Sequence, residues 1–425
     1  MKSILACIAC IVLVLLTGLA ACSQPVSTGV VSSDKPRATA AAGQEDLALL
    51  VDGNNAFALD LYHELKGGQG NLFYSPYSIS QALAMTYAGA RDTTEKEMAA
   101  TLHFTLPQDR LHPAFNSLDQ QLQTRGQGAK GKDAKGFRLN IVNAIWGQKG
   151  YSFLSEYLDI LAQNYGAGLR PLDFRSEPEI CRQTINKWVE DQTEQRIRDL
   201  LKEGDVDALT RLVLTNAIYF NAAWANSFEK NVTQPAPFHL LDGSTVEVPM
   251  MRQSERMGYT TGEGYQSVSL PYDGGEMEMV VMLPDQGKFA EFEQSLDAGK
   301  VKTIIESIAP TQVSLSFPRF KIESEFGLGD ALYHMGMPTA FSSLADFSGM
   351  TGTRELCISK VVHKTFVEVD EAGTEAAAAT AVVMRATAMP LEPKEVTVDR
   401  PFIFLIRDIQ TGSVIFIGRV VNPLL

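Results

Sequence analysis

Residues Val367–Pro401 read VEVDEAGTEAAAATAVVMRATAMPLEPKEVTVDRP and carry more information about the fold than any other segment of this chain. It begins with alternating apolar and acidic residues, the pattern of a strand with one buried face. Gly373 interrupts this pattern, and a run of very small, uncharged residues, 376–381, follows shortly after it. Pro390 and Pro393 exclude regular structure just beyond that run. The stretch therefore joins a strand to a segment in which the strand pattern has ended.

Side-chain parity predicts two different faces for residues 374–385 if they form one strand. The even-numbered face carries only Thr, Ala, Val and Met, whereas both charged residues, Glu375 and Arg385, fall on the odd-numbered face. One face can therefore be buried, although alanine is a poor strand former. The same composition is also typical of a short Ala-rich surface helix or a disordered linker. The residues alone leave an exposed loop and a core strand both open.

The rest of the chain mixes helix and strand patterns. Residues 45–66, 152–166 and 181–201 have the apolar stripe of amphipathic helices, whereas 137–148 reads as a strand. Period-2 alternation with turn signals within 246–326 predicts consecutive antiparallel strands. A length of 425 residues with 45% hydrophobic content can bury a large core, in one big domain or two to three ordinary ones.

The N-terminus has the features of an export signal in residues 1–21, with an apolar core at 4–16 that is short for a membrane span. Cys22 directly follows small residues, which is similar to the lipid-attachment site of bacterial lipoproteins. We expect cleavage before Cys22 and acylation of its thiol; ordinary secretion with cleavage near Ala20 or Ala21 is the alternative. Residues 22–44 then form the lipidated cysteine and a Ser/Thr/Ala/Pro-rich flexible tether spanning about 25 Å, before a folded domain at 45–425.

The charge pattern excludes two classes of ligand. A formal net charge of −13 argues against a general nucleic-acid binder. Gly126–Lys132 matches the first part of a phosphate-binding loop, but Asp133 stands where Ser or Thr must bind magnesium, and no apolar strand precedes it. We therefore reject a nucleotide site. Four basic residues of this region are expected to form a solvated loop, with a polyanion site as the alternative: Arg125, Lys130, Lys132 and Lys135.

Motifs of enzymes and metal sites are missing from the body of the sequence. It holds no Gly-x-Ser-x-Gly elbow, no His-Glu-x-x-His pair and no Cys-x-x-Cys pair, and its six histidines show no ligand spacing. Cys181 and Cys357 are the only body cysteines and fit small buried side chains better than a disulfide framework. We therefore expect no catalytic residues, no metal and no cofactor.

Three segments together resemble one protein family. Residues 371–383, EAGTEAAAATAVV, resemble the reactive-loop hinge of the inhibitory serpins, and residues 399–408 and 416–423 resemble that family's C-terminal strands. The resemblance covers roughly residues 45–425. It implies a mixed α+β serpin fold with three β-sheets, surrounding α-helices, an exposed reactive loop at about 371–400 and a monomeric protein.

The resemblance also implies three groups of functional residues. The hinge, which must pass between two strands, comprises Glu371, Gly373, Thr374, Glu375, Ala376, Ala377, Ala378, Ala379 and Thr380. A hydrogen-bonded network at the point where the strands part comprises Ser75, Ser78, Asn216 and His363. The loop base comprises Trp224 and Arg319, with Arg319 paired to Glu371. The structural alternatives are helix caps for the two serines and ordinary core positions for the Trp and the His.

The mechanism implied by the resemblance is irreversible suicide inhibition of serine proteases, with cysteine proteases as a further class. The protease attacks the loop and forms an acyl-enzyme, and the freed loop then inserts as a new strand of the large sheet. Counting from Gly373 places the cut at Thr387–Ala388, which suits an elastase-like pocket. Arg385–Ala386 is the alternative and suits a trypsin-like pocket.

Signal and resemblance together predict a lipid-anchored protein of the bacterial cell envelope, on the outer membrane or the cell surface. Two other classes remain open. A serpin-fold surface binding protein without inhibitory activity would be cleaved in its loop without forming a covalent complex. A hydrolase with a catalytic triad on unrelated elements would turn over a substrate with no protease present.

Overall fold

The computed structural model describes residues 29–68, 70–131, 136–374 and 393–425. Its α-helices are α1 (Gln44–Leu65), α2 (Pro76–Tyr87), α3 (Asp92–Thr101), α4 (Gln108–Gln123), α5 (Ser155–Tyr165), α6 (Pro178–Gln192), α7 (Phe289–Gln294), α8 (Ala298–Glu306), α9 (Gly329–Met335) and α10 (Ser348–Thr351). None of the helices in these residues has the length and apolarity needed to cross a membrane.

The strands are β1 (Leu72–Tyr74), β2 (Arg138–Gln148), β3 (Leu169–Leu172), β4 (Leu212–Ala223), β5 (Gln234–His239), β6 (Thr245–Gly262), β7 (Tyr265–Pro271), β8 (Met277–Pro284), β9 (Ala309–Pro318), β10 (Phe320–Gly327), β11 (Lys360–Asp370), β12 (Gly373–Thr374), β13 (Lys394–Thr397), β14 (Phe402–Asp408) and β15 (Val414–Val420). Several predicted features lie outside the described residues: the signal 1–21, Cys22, hinge residues 375–380 and both predicted scissile bonds, 385–386 and 387–388.

Two sheets organise these strands. The central sheet has six strands in the order β10-β11-β12-β4-β2-β3, with an additional direct pairing of β11 with β4. The second sheet has nine strands in the order β1-β15-β14-β8-β7-β6-β9-β13, with β5 paired to β6. We expected three sheets. The described strands form two because β6, at 18 residues, is long enough to pair with β5 along residues 245–250, with β9 along 250–259 and with β7 along 258–262.

Helix α2 lies in the core beneath the central sheet, and all its residues are buried. Ser75 caps its N-terminus, since the Ser75 side chain accepts a hydrogen bond from the Ser78 backbone N–H at 3.3 Å. Pro76 occupies the first helical position, where its missing N–H costs no hydrogen bond. Ser75 therefore caps α2 as predicted, and its backbone N–H also bonds to His363.

Helix α6 ends earlier than the sequence pattern predicts. The apolar stripe suggested a helix through residue 201, but α6 stops at Gln192. The Thr193 hydroxyl donates to the Val189 carbonyl oxygen and accepts from the Ile197 backbone N–H, which closes the helix locally. Glu194 then adopts a positive φ of 50°. The chain beyond turns back across the central sheet.

Arg125 is not part of a solvated loop. Its side chain is 6% exposed, and its Nε donates to the Asp408 carboxylate at 2.6 Å. The prediction of a solvated loop is therefore wrong for Arg125. A buried guanidinium needs a carboxylate partner, and Asp408 supplies one. Lys130 is exposed, and Lys132 and Lys135 lie outside the described residues.

Residues 29–43 also differ from the prediction. We expected them to belong to a flexible tether, but they lie against α4, α5 and β3 and form specific hydrogen bonds there. The composition of this segment is typical of a linker, but its polar groups have partners on the body.

Candidate functional site

The central sheet contains a boundary between β4 and β11, which we call the seam. Along its lower part the two strands pair in parallel, from Lys360 opposite Val213 to Thr365 opposite Ile218. Above these pairs β12 separates the two strands and pairs antiparallel with both of them. The seam is therefore closed below and already holds a short third strand at its upper end.

Gly373 and Thr374 form that third strand. Gly373 lies opposite Ala223 of β4 and Asp370 of β11. Its φ is +150°, and a Cβ atom there would lie 2.1 Å from the carbonyl oxygen of Ala222. Only glycine fits such a close backbone approach. The expected exposed loop at about 371–400 is thus wrong at both ends, because residues 371–374 are buried and Lys394–Thr397 form strand β13 on β9.

Thr374 is fully buried, with 0% of its surface exposed. Its hydroxyl forms a 2.9 Å hydrogen bond with the Tyr272 hydroxyl. Burial raises the pKa of Tyr272 well above its usual range, so this phenol remains protonated. The Trp224 ring stacks on Tyr272 at a centroid distance of 4.8 Å, and its Nε1 donates to the Asp370 carbonyl oxygen at 2.9 Å. Trp224 therefore lies at the base of the loop, as the resemblance implies.

The Glu371 carboxylate is held at the turn before β12. Its Oε1 accepts from Arg319 Nε at 2.8 Å, from a second Arg319 nitrogen and from the Thr233 hydroxyl at 2.6 Å. Glu371 is 1% exposed, whereas the Arg319 side chain is 39% exposed. Burial raises the pKa of Glu371, but the hydrogen bonds from Arg319 and Thr233 outweigh it, so the pKa lies below its ordinary value.

We expect Glu371→Gln to loosen this turn. The amide keeps one acceptor oxygen but leaves the Arg319 charge without a carboxylate, at a cost of about 1–2 kcal/mol because Arg319 reaches solvent. In the native protein, the stabilisation by the ionised Glu371 carboxylate should be fully present above the pKa of this carboxyl in the unfolded chain. It should be lost as the pH falls through the lowered pKa of the folded state. The measurement is the lifetime of inhibitory activity during mild heating, which should shorten in the variant. Asp46→Asn, at an exposed pair with Arg110, is the matched control and should leave the lifetime unchanged.

A row of polar side chains crosses the seam in its closed part. Asn143 on β2, Asn216 on β4 and His363 on β11 are register partners. His363 Nδ1 contacts the Asn216 side-chain oxygen, and Asn216 Nδ2 donates to the Ser78 hydroxyl at 2.5 Å. The Ser75 backbone N–H donates to His363 Nε2 at 3.0 Å. The structure thus brings together all four residues that the resemblance grouped.

Sequence reasoning missed two members of this network, Asn143 and Gln81. Asn143 accepts from Asn216, and its own Nδ2 donates to the Gln81 side-chain oxygen at 2.9 Å and to the Ser78 carbonyl oxygen at 3.2 Å. For Asn143, the only signal in the sequence is its place as the one polar residue of the otherwise apolar segment 141–146. Its partners lie on other elements, so the pattern of one strand could not identify them.

The geometry assigns one tautomer to His363. Because Nε2 accepts the Ser75 N–H, the ring proton lies on Nδ1 and donates to the oxygen of Asn216. Burial lowers the pKa of His363 to about 3, so the ring is neutral at physiological pH. A neutral network of this kind can exchange partners when the strands separate, without moving a charge into the core.

Acid should destabilise the native protein through this histidine. Between the ordinary pKa of 6.5 and the lowered value of about 3, the unfolded chain binds a proton at His363 and the native chain does not. The free energy of unfolding therefore falls as the pH drops below 6.5, by up to about 1.4 kcal/mol per pH unit for one histidine. Buried His112 adds to the same slope, since burial lowers its pKa to about 3.

Denaturant midpoints between pH 6.5 and 5 measure this slope. We expect His363→Asn to lower stability at pH 7 and to reduce the slope by about one proton. His103→Asn, which removes an exposed histidine paired with Asp60, is the control substitution. An unchanged slope in the His363 variant would contradict the assignment.

Residues 196–205, which follow α6, cover the seam from outside. Lys364 on β11 donates to the Arg198 carbonyl oxygen at 2.9 Å and pairs with Glu323 at 3.0 Å. Lys360 on the same strand pairs with Asp205 at 2.7 Å. These contacts attach the covering segment to the β11 side of the seam, so a strand entering the seam must pass beneath it.

The central sheet therefore pairs, on both sides of the seam, with the two residues of β12 from the segment that follows β11. Within the described ranges no cluster of three or more His, Cys, Asp or Glu side chains could hold a metal ion. The buried polar groups described above form hydrogen bonds with one another across the seam.

Comparisons with known proteins identify the family. Residues 52–423 match the family described as Serpin (serine protease inhibitor). The chain is 42% identical to leukocyte elastase inhibitor A of Rattus norvegicus over 386 residues, 88% of this chain and 99% of that protein. It is also 42% identical to an uncharacterized serpin-like protein of Thermococcus kodakarensis over 376 residues, 88% of this chain and 86% of that protein.

Solved structures agree with the sequence comparisons. Human thyroxine-binding globulin in complex with thyroxine has a TM-score of 0.79 and 30% identity, covering 89% of this chain and 99% of that one. The chain belongs to the serpin family. Its fold and its class, a protease inhibitor rather than an enzyme, are thereby confirmed.

Proposed function

We propose that this serpin inhibits serine proteases irreversibly, by loop cleavage, acyl-enzyme trapping and insertion of the cleaved loop into the seam. The main support for this proposal is β12, which pairs antiparallel with both β4 and β11 at the start of the segment that contains the predicted cut. If the cleaved loop inserts in the register of β12, residue 384 would lie opposite Leu212, the first residue of β4. The seam can therefore take residues 375–384, about 33 Å of strand.

The register supports a cut just beyond residue 384. Both predicted bonds, Thr387–Ala388 and Arg385–Ala386, follow that position. We favour Thr387–Ala388, because a small residue suits the shallow pocket of an elastase-like protease, and rat leukocyte elastase inhibitor A is a close relative. Trypsin-like proteases are the second target class and would use the arginine.

Mixing the purified chain with elastase-like and trypsin-like serine proteases tests this proposal. We expect a covalent complex on denaturing gels and a released peptide that begins at Ala388, or at Ala386 for a trypsin-like enzyme. Loop cleavage without a complex would instead indicate a binding protein with a serpin fold. Turnover of a substrate in the absence of protease would indicate a hydrolase.

We also propose that the mature protein is a monomer anchored to the bacterial cell envelope by acylation of Cys22. The supporting pattern is the apolar segment followed by small residues and a cysteine. Mass spectrometry of the N-terminal peptide should find acyl chains on Cys22, and Cys22→Ser should release the protein from membranes. A mature N-terminus at another residue would contradict the anchor without affecting the inhibitory mechanism.

A further inference from the structure

Residues 29–43 form an ordered segment on the body, which we call the strap. At its beginning, Val31 forms an antiparallel bridge with Leu169, the first residue of the edge strand β3, with N···O distances of 2.8 and 3.0 Å. Lys35 then pairs with Asp159 on α5 at 2.6 Å. The strap therefore extends the edge of the central sheet before it crosses α5.

The strap is held more firmly on α4. Arg37 pairs with Asp119 at 2.5 Å and donates from Nε to the Asn116 side-chain oxygen at 2.8 Å. Both charged side chains are largely buried, at 24% and 9% exposed, so solvent screens this pair less than a surface pair. The Ser117 hydroxyl accepts the backbone N–H groups of residues 41 and 42 at 3.1 and 3.0 Å. A free linker would not satisfy its backbone in this way.

Docking of the strap shortens the free chain between Cys22 and the body. If residues 23–44 were flexible, 22 residues would span about 25 Å. With the strap in place only residues 23–28 precede the docked segment, and a coil of that length spans about 13 Å. The chain also leaves the body at a different place, beside β3 rather than at the start of α1.

The register of the central sheet locates this exit relative to the reactive loop. Val31 bridges Leu169, which lies opposite Ile145 on β2, which in turn lies opposite Leu214 on β4. The loop enters the sheet at Ala223, nine residues further along β4. At about 3.3 Å per residue the exit is roughly 30 Å from the loop along the strand direction.

Resting on the proposed anchor at Cys22, we propose that the strap turns the β3 edge of the central sheet toward the lipid surface and holds the reactive-loop end away from it. A body attached by a short linker at one surface point cannot rotate that point far from the membrane. A long tether that began at α1 would permit every orientation. The strap thus presents the loop to proteases that arrive from the solvent side.

Energy transfer to a membrane tests this orientation whether or not Cys22 is acylated in cells. The chain from Cys22 onward, carrying Cys357→Ala, is coupled through the Cys22 thiol to a maleimide lipid in phosphatidylcholine vesicles that contain a rhodamine lipid. A donor dye is attached to azidophenylalanine placed at Ile180, an exposed residue of α6 eight residues after the end of β3, or at Asn226, an exposed residue three residues after the end of β4, where the loop enters the sheet. We expect transfer from position 180 to be at least about twofold more efficient, given the roughly 30 Å offset.

Two variants separate the strap from the anchor. Arg37→Ala with Ser117→Ala should release the strap and reduce the difference between the two donor positions, whereas Arg110→Ala, on α4 outside the strap contacts, should preserve it. If the strap variant does not fold, a 20-residue Gly/Ser insertion between residues 28 and 29 leaves the body unchanged and should also remove the difference. Equal transfer from both positions in the unmodified chain, or a difference that survives the insertion, would overturn the proposal.

The same samples keep this inference distinct from the proposed inhibitory function. Protease mixed with the chain in solution reports complex formation without a membrane. Cleavage without complex would refute the inhibitor and leave the orientation standing. Normal inhibition with equal energy transfer at both positions would refute the orientation alone.

Discussion

Thr374→Arg is expected to convert the inhibitor into a substrate. Thr374 is fully buried between β4 and β11, and its hydroxyl is bonded to Tyr272. An arginine there would bury an unpaired guanidinium or expel the hinge from the seam, at a cost of several kcal/mol. Since each 1.4 kcal/mol changes a rate about tenfold, strand insertion should lose the competition with deacylation of the acyl-enzyme.

The number of inhibitor molecules consumed per protease measures this effect. For Thr374→Arg we expect that number to rise at least about tenfold, with the cleaved chain replacing the covalent complex on denaturing gels. Cleavage at the same bond and at a normal rate would show that the variant is folded and recognised. Thr374→Ser keeps the hydroxyl and should inhibit almost normally, and Thr374→Val isolates the hydrogen bond to Tyr272. Full inhibition by the arginine variant would falsify the insertion mechanism.

Asn216→Ala should give the largest loss of native stability in the site. Asn216 bonds to His363, Ser78 and Asn143, so its removal leaves the His363 Nδ1–H without a partner and takes one hydrogen bond from each of the other two side chains, which still bond to each other. At about 1–3 kcal/mol for the unsatisfied N–H and about 0.5–1.5 kcal/mol for each lost hydrogen bond, we expect a loss of about 2–5 kcal/mol. Because the network spans the seam, the variant should also lose inhibitory activity faster on storage.

Thermal or denaturant unfolding of the native protein measures the first effect, and the decay of inhibitory activity with time measures the second. Asn140→Ala, at a half-buried position on β2, is the matched control and should change both by much less. Asn216→Ala combined with His363→Ala should cost less than the sum of the two single changes, because both remove the same hydrogen bond. Additive costs would mean that the four side chains do not act as one network.

Local pattern predicted most of the elements around the site. The alternation in Val367–Asp370 belongs to β11, and the apolar stripe from residue 45 is α1. The same pattern failed at α6, whose stripe continues past its real end because the residues beyond it are buried through tertiary contacts instead. It also failed at Arg125. The composition around this residue is that of a basic loop, but its ion-pair partner, Asp408, is 283 residues away in the chain.

Composition misled us most at residues 29–43. Their Ser, Ala and Pro content is that of a linker, and only the positions of Asp119, Asn116 and Ser117 on α4 make them an ordered part of the body. The residue pattern of one segment does not reveal hydrogen-bond partners that lie on other elements. For the same reason the sequence did not identify Asn143 as a member of the network.

Periodicity, residue size and motif spacing are local properties of the chain, and they were sufficient to predict the mixed α+β class, the hinge composition after Gly373 and the lack of enzyme motifs in the body. The structure was needed to show that Gly373 and Thr374 already lie in the seam, that Asn216 joins β2 to β11, and that the strap leaves the body beside β3. Those facts depend on strand register, and register is set by which distant segments pack against one another.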